Sequence, residues 1–232
     1  AEGSLVNFQL TATDDDNDAG TLEYALAGEP IDGLVINEDG SGSFNAAHES
    51  YNSLGVGDTE EIVVTYSVTD TEGGSGQGLF TIQVSGVNDA PVIAGSATGA
   101  VTEDNTTATG TLTVSDVDGT AANAKNWTVV QPTGTYGNLA LGGNTGATVQ
   151  WTYTLTAADR QAWNNDTLYT DTFHVTVQDE DDGTSAQFGV TVTIRGVNDP
   201  PVATFSGNNL TNVVAEGSLV NFQLTATDDD ND

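Results

Sequence analysis

The sequence predicts an all-β fold made of tandem two-sheet sandwiches. Three observations carry that expectation: two-residue hydrophobic alternation in short runs, turn-forming clusters that separate the runs, and internal repetition at the scale of a domain. Taken in chain order, Val6, Phe8, Leu10 and Ala12 alternate with polar residues near the start. Ile62, Val64, Tyr66 and Val68 do the same, followed by Phe80, Ile82 and Val84. In the second half, Phe173, Val175 and Val177 alternate with His174 and Thr176, and Val190, Val192 and Ile194 with Thr191 and Thr193. Glu38-Asp39-Gly40-Ser41-Gly42, Glu72-Gly73-Gly74, Gly142-Gly143-Asn144 and Asp182-Gly183-Thr184 are the turn signals between runs. The one helical pattern, Ala157–Asn164, is long enough for a turn or two. Roughly seven half-buried strands per ~110 residues meet the requirement of a two-sheet sandwich.

Repetition sets the domain plan. Ala1–Asp18 (AEGSLVNFQLTATDDDND) returns unchanged as Ala215–Asp232, and Gly86-Val87-Asn88-Asp89-Ala90-Pro91-Val92 returns as Gly196-Val197-Asn198-Asp199-Pro200-Pro201-Val202. The expected units are 1–89, a sandwich without its first strand; 90–199, a complete one; and 200–232, the opening strands of another copy of the first. Pro91, Pro200 and Pro201 stiffen the crossings between units.

The formal charge is −31, with 34 acidic residues against Lys125, Arg160 and Arg195. So few cations exclude nucleic acid and anionic membrane surfaces as partners, and no apolar run is long enough to insert in a bilayer. With 37% apolar residues in regular alternation, the chain does not read as disordered. Salt adaptation would spread acids over strand faces, yet they gather at segment ends. Cysteine is absent, so an exported chain of this kind needs another staple, and the acidic clusters suggest a metal. His48 and His174 have no companions for a zinc site.

Calcium takes oxygens from carboxylates and carbonyls on loops. An Asp-x-Asp follows the second strand of each unit: Asp14/Asp16, Asp116/Asp118 and Asp228/Asp230. Alternate residues at a strand end can point the same way, so this spacing pairs carboxylates. Asp70 and Asp179 close the penultimate strands, with Asp181 in the second acidic run, and the linkers add Asn88/Asp89 and Asn198/Asp199. Two carboxylates ~4 Å apart repel by roughly 4 kcal/mol at an effective dielectric of 20. Such a joint splays without a cation and stiffens with one, so chelation is expected to loosen the chain and lower its melting temperature.

Glu2 in Ala-Glu-Gly, Thr-Ala-Thr-Asp14-Asp15-Asp16 and the Val-Asn-Asp-x-Pro linker resemble the calcium motifs of cadherin repeats. The second unit resembles the VCBS repeat of giant bacterial adhesins of the RTX type, through Val101-Thr102-Glu103-Asp104, Gly110 to Gly119, Pro132 to Gly137, Trp151 to Leu155 and Asp171 to Val177. The resemblance implies tandem Ig-like or cadherin-like β-sandwiches with calcium at the interdomain junctions. Carried over by residue, a central junction would use Glu2, Asn88, Asp89, Asp116, Asp118 and Asp179. A leading site would use Asp14, Asp16 and Asp70, and a trailing one Glu103, Asn198, Asp199, Asp228 and Asp230. Glu49 stands where cadherins carry a further acidic motif; the matching stretch of the second unit, Asp159-Arg160-Gln161, has Gln in place of the acid.

The function expected is a spacer in a long secreted adhesin on the bacterial cell surface, with neighbouring repeats as partners. Head-to-tail self-association through 200–232 is a further expectation. The alternative is a glycan- or protein-binding module, which requires Trp127, Trp151 and Trp163 to be exposed together. Catalysis is not expected, because the acids recur at sandwich poles and no nucleophile–base arrangement accompanies them.

Overall fold

The alternating runs become strands wherever both faces of the alternation find a use. The computed structural model describes every residue except 16–21, 120–122, 207–214, 220–222 and 230–232. Asp16 and Asp230 therefore lie outside the described residues. The chain divides into two compact units, Ala1–Val92 with Ser115–Ala124 and Gln178–Ser185, and Ile93–Val114 with Lys125–Val177 and Ala186–Asp232. No described helix is long and apolar enough to cross a membrane.

The first unit contains β1 (Leu5–Gln9), β2 (Glu23–Leu26), β3 (Leu34–Ile36), β4 (Ser41–Asn45), β5 (Thr59–Thr69) and β6 (Ser75–Ser85). One antiparallel sheet has the order β1-β4-β3 and the other β2-β5-β6. Phe8 of β1 meets Phe80 of β6 with ring centroids 5.2 Å apart, which closes the two sheets face to face. Phe44, Ala46, Tyr51 and Val84 form the buried centre, flanked by Leu34, Leu54, Ile62 and Ile82. The alternation at the chain start is only partly used. Val6 is 53% exposed because β1 is a sheet edge, and the strand ends at Gln9. Beyond it, Leu10 reaches a backbone partner through its N–H to the Gly40 carbonyl.

The second unit contains β7 (Val92–Gly95), β8 (Thr98–Thr102), β9 (Thr107–Ser115), β10 (Lys125–Val129), β11 (Gly137–Leu141), β12 (Thr148–Leu155), β13 (Leu168–Gln178) and β14 (Phe188–Arg195). Its sheets are β11-β12-β9-β7 and β10-β13-β14-β8. Pairing is antiparallel between β13 and β14 but parallel between β14 and β8, with Thr98 to Thr102 beside Thr191 to Arg195. Val190, Val192, Ile194, Val175 and Val177 are fully buried, as their parity predicts. Each contributes about 1.5–3 kcal/mol of burial. The helical pattern near 157–164 is realised only as the 3₁₀ turn Arg160–Ala162. β15 (Val202–Ser206) and β16 (Gln223–Thr227) form a separate antiparallel pair.

Glycine sits opposite an aromatic ring three times: Phe8 faces Gly42, Tyr66 faces Gly78 and Trp151 faces Gly110. In each case a Cβ built on the glycine would lie 2.3–2.5 Å from the ring. The missing side chain is where the ring packs, which is the use of a strand glycine for close approach.

Candidate functional site

Two aspartates at strand ends organise the acidic loops, and they do so in the same way. Asp70, after β5, accepts through Oδ1 from the Glu72 and Gly74 N–H groups, both at 2.8 Å. Asp179, after β13, accepts through Oδ1 from Asp181 N–H at 2.9 Å and Gly183 N–H at 2.8 Å. Both turns close with the Asp N–H on the glycine carbonyl at 3.0 Å. Holding one carboxylate oxygen in the turn directs the other outward. A Cβ on Gly74 would fall 2.4 Å from Asp70 Oδ2, and one on Gly183 2.2 Å from both Asp179 Oδ2 and Asn88 Nδ2. These glycines make the cradles. The Asp-x-x-x-Gly spacing that signals them is present in both units, and neither glycine belongs to the expected site.

The Gly86–Asp89 linker meets the second cradle within the first compact unit. Asn88 Nδ2 donates to the Asp89 carbonyl at 2.9 Å and to Asp179 Oδ2 at 3.0 Å. The Asp89 N–H donates to Asp118 Oδ2 at 2.8 Å. Glu2 lies at the start of the same linker, where its Oε2 accepts from the Val87 N–H at 3.4 Å. Asp179 is 5% exposed. Asp116 Oδ1 is buried and has no hydrogen-bond partner. Burial, then the hydrogen bond and charge of Asp118, then the charge of Asp179, push the Asp116 carboxyl up to about 6. Three carboxylates thus feel one another, and one of them carries an oxygen with nothing to bind. Still, no group of three or more acidic or histidine side chains among the described residues is drawn close enough to enclose a metal.

The other expected residues separate into two places. Asp14 and Asp70 line one cleft of about 240 Å³, with Ala12, Thr13, Val68 and Gly76. At the second linker, Glu103 is 1% exposed and accepts from the Val197 N–H at 2.6 Å. Asn198 Nδ2 donates to the Asp199 carbonyl at 3.0 Å, repeating the Asn88–Asp89 lock. Asp199 and Asp228 are half-buried. Glu49 is exposed on the 3₁₀ turn Glu49–Tyr51, and Asp181 offers the Asp179 turn its N–H while its side chain faces solvent. Arg160 lies against the Glu103 backbone, with Nε donating to that carbonyl at 3.2 Å.

One important residue falls outside the expected set. Asp171, 3% exposed on β13, accepts from the N–H groups of Thr135 at 2.7 Å, Tyr136 at 3.1 Å and Gly137 at 2.9 Å, and from the Tyr153 hydroxyl at 2.8 Å. It shares parity with Phe173, Val175 and Val177, so the alternation already points it inward. The three tryptophans are also buried, Trp127 at 3%, Trp151 at 0% and Trp163 at 7% exposure. The exposed stacking platform required by a glycan-binding reading is therefore not formed by them.

Residues 1–83 match a family model described as a bacterial Ig domain, and residues 88–196 one described as a bacterial cadherin-like domain. Among solved structures, the chain is similar to Drosophila N-cadherin EC1-4, with 16% identity, 85% of this chain and 46% of that chain covered, and a TM-score of 0.45. It is likewise similar to a protocadherin gammaB7 EC3-6 cis-dimer structure, with 16% identity, 99% of this chain and 52% of that one covered, and a TM-score of 0.47. The chain thus spans about half the length of these cadherin structures. No curated protein sequence shows significant similarity to it. The chain is an all-β tandem in which a bacterial Ig domain precedes a bacterial cadherin-like domain.

Proposed function

We propose that this chain is a spacer segment of a long extracellular bacterial surface protein of the adhesin type, made stiff by Ca²⁺ held at the Gly86–Asp89 linker. The observation that carries the reading is the meeting of Asn88 and Asp89 with Asp118 and Asp179 beside Asp116, whose inner oxygen has no partner. Oxygen-only donors, a half-buried carboxylate destabilised by its neighbours and a glycine-lined cradle suit a hard cation. Asp116, Asp118, Asp179, Asp89 and the Asn88 side-chain oxygen would hold it, with Glu2 on the same linker. The cation would supply positive charge that turns mutual repulsion into attraction. The protein's own part is to fix the linker through the Asn88 lock before any ion arrives.

Repeated acidic locks at Asn88/Asp89 and Asn198/Asp199 suit a chain in which the same joint recurs. Both matched families are structural modules of surface proteins, and the acids serve linkers rather than a catalytic cleft. The decisive experiment is a calcium titration followed by small-angle scattering and calorimetry. Calcium should narrow the distance distribution and raise the melting temperature, with half-saturation at roughly 10⁻⁴ to 10⁻³ M, the range of extracellular modules. Identical scattering and melting in chelator and in millimolar calcium would overturn the proposal.

A further inference from the structure

The same eighteen residues occur twice in this chain, and the two copies are paired differently. In the later copy, Gln223–Thr227 is β16, antiparallel to β15, with Val202 opposite Thr227, Ala203 opposite Ala226, Thr204 opposite Thr225, Phe205 opposite Leu224 and Ser206 opposite Gln223. In the earlier copy, the identical residues are Gln9–Thr13. Gln9 ends β1 opposite Ser41, and Leu10–Thr13 lie in no strand. Local geometry is otherwise conserved, since Gly3 and Gly217 share positive φ angles of 75° and 81°. The difference is the neighbour and not the sequence.

The second unit shows what that neighbour does. There β7 lies at the outer side of β9, giving the order β11-β12-β9-β7, and Ile93 of β7 is buried. In the first unit the corresponding sheet stops at β1, so its order is β1-β4-β3 with nothing described beyond. β15 follows Asn198-Asp199-Pro200-Pro201 just as β7 follows Asn88-Asp89-Ala90-Pro91. Meanwhile the β15–β16 pair leaves its apolar side chains in solvent: Val202 is 61%, Phe205 44% and Leu224 69% exposed. An isolated two-stranded pair is marginal in water and needs a further strand or face.

We infer that a second copy of this chain docks head to tail, its β15 adding to the open edge of β1 and extending the sheet along Gln9–Thr13. The register is fixed by identity: Ser206 opposite Gln9, Phe205 opposite Leu10, Thr204 opposite Thr11, Ala203 opposite Ala12 and Val202 opposite Thr13. That places Ala203 and Val202 at the cleft lined by Ala12 and Thr13. Exchange is cheap, because the strand that β15 leaves and the segment it joins are the same sequence; the gain is a sheet with a core behind it. This mode is main-chain strand addition between copies, and its head-to-tail form propagates. It goes beyond the calcium reading and holds or fails without it.

The chain has no cysteine, so a cysteine pair reports the contact cleanly. In an A12C/A203C variant under mild oxidant, the expected product is a ladder of covalent dimers and higher oligomers. An out-of-register T11C/A203C variant should give a several-fold weaker ladder, because residue 11 points to the opposite face. Sedimentation of the unmodified chain should show the average mass rising with concentration from micromolar to millimolar, and Thr204→Pro should abolish the rise. A strictly monomeric chain, a cross-link confined within one molecule, or equal cross-linking at residues 11 and 12 would each overturn the inference.

Discussion

Asp171→Ala tests the strongest internal contact of the second unit. The side chain takes four donors, the N–H groups of Thr135, Tyr136 and Gly137 and the Tyr153 hydroxyl. A buried donor left without an acceptor costs about 1–3 kcal/mol. A cleft of about 400 Å³ lined by Thr133, Gly134, Thr135 and Asp171 admits water to the Thr135 and Tyr136 side. Gly137 and Tyr153 are buried and stay dry. Two donors at about 2 kcal/mol each give a loss of about 4 kcal/mol. For a domain of this size that lowers the melting temperature by about 15 °C or more. Urea denaturation at fixed calcium, read by tryptophan fluorescence, isolates the effect, because Trp127, Trp151 and Trp163 all lie in the second unit. Asp171→Asn keeps the shape but turns an amide N–H₂ toward donors, so it should cost at least half as much. In a double-mutant cycle, Tyr153→Phe should lose its own cost once Asp171 is gone. A loss below about 1 kcal/mol for Asp171→Ala would refute the claim that this carboxylate anchors the Thr133–Gly137 turn.

Asp116→Asn removes one of three mutually repelling carboxylates. In chelator it should stabilise the chain by about 1 kcal/mol, the size of a close like-charge repulsion in water, while reducing the stabilisation that calcium confers; calorimetry with and without chelator reads both. The Asp116 carboxyl is raised from 3.8 to about 6, so between those values the folded chain binds a proton that the unfolded one has lost. Stability in chelator should therefore fall as pH rises through that window and then level off. In saturating calcium the slope should flatten or reverse, because the ion favours the deprotonated form; melting curves taken across the window decide it. Gly183→Ala leaves every donor oxygen in place but drives a methyl group into Asp179 and Asn88. Calcium affinity should drop about tenfold, as for loss of an outer-shell support, measured by isothermal titration.

How far the sequence reveals this molecule depends on the range of each interaction. Val190, Val192 and Ile194 declare their strand locally, since alternation is a property of neighbours. The parallel partner of that strand cannot be read the same way, because Thr98–Thr102 is remote in sequence and carries no turn signal linking the two. Val6 alternates correctly and is still exposed, because the edge position of β1 is a tertiary fact. In the candidate site, Asp116/Asp118 and Asn88/Asp89 are legible as spacing and repetition. The Asn88–Asp179 bond joins segments from different halves of the chain, so no local pattern announces that pair. Asp171 was legible in principle: its parity with Phe173 places a carboxylate in the core, and only a partner search reveals why it is tolerated there.

The parallel pairing of β8 with β14 has a mechanical consequence. Tension applied at the two ends of the second unit pulls β8 toward its beginning and β14 toward its finish, so the two slide lengthwise past each other. The rungs between Thr98–Thr102 and Thr191–Arg195 then share the load and must give way together. A hairpin such as β5–β6, gripped at its open end, yields one rung at a time. A tether hauled by flowing liquid would meet its resistance at that short ladder of threonines, valine and isoleucine, and the rate of forced opening there sets how long it holds.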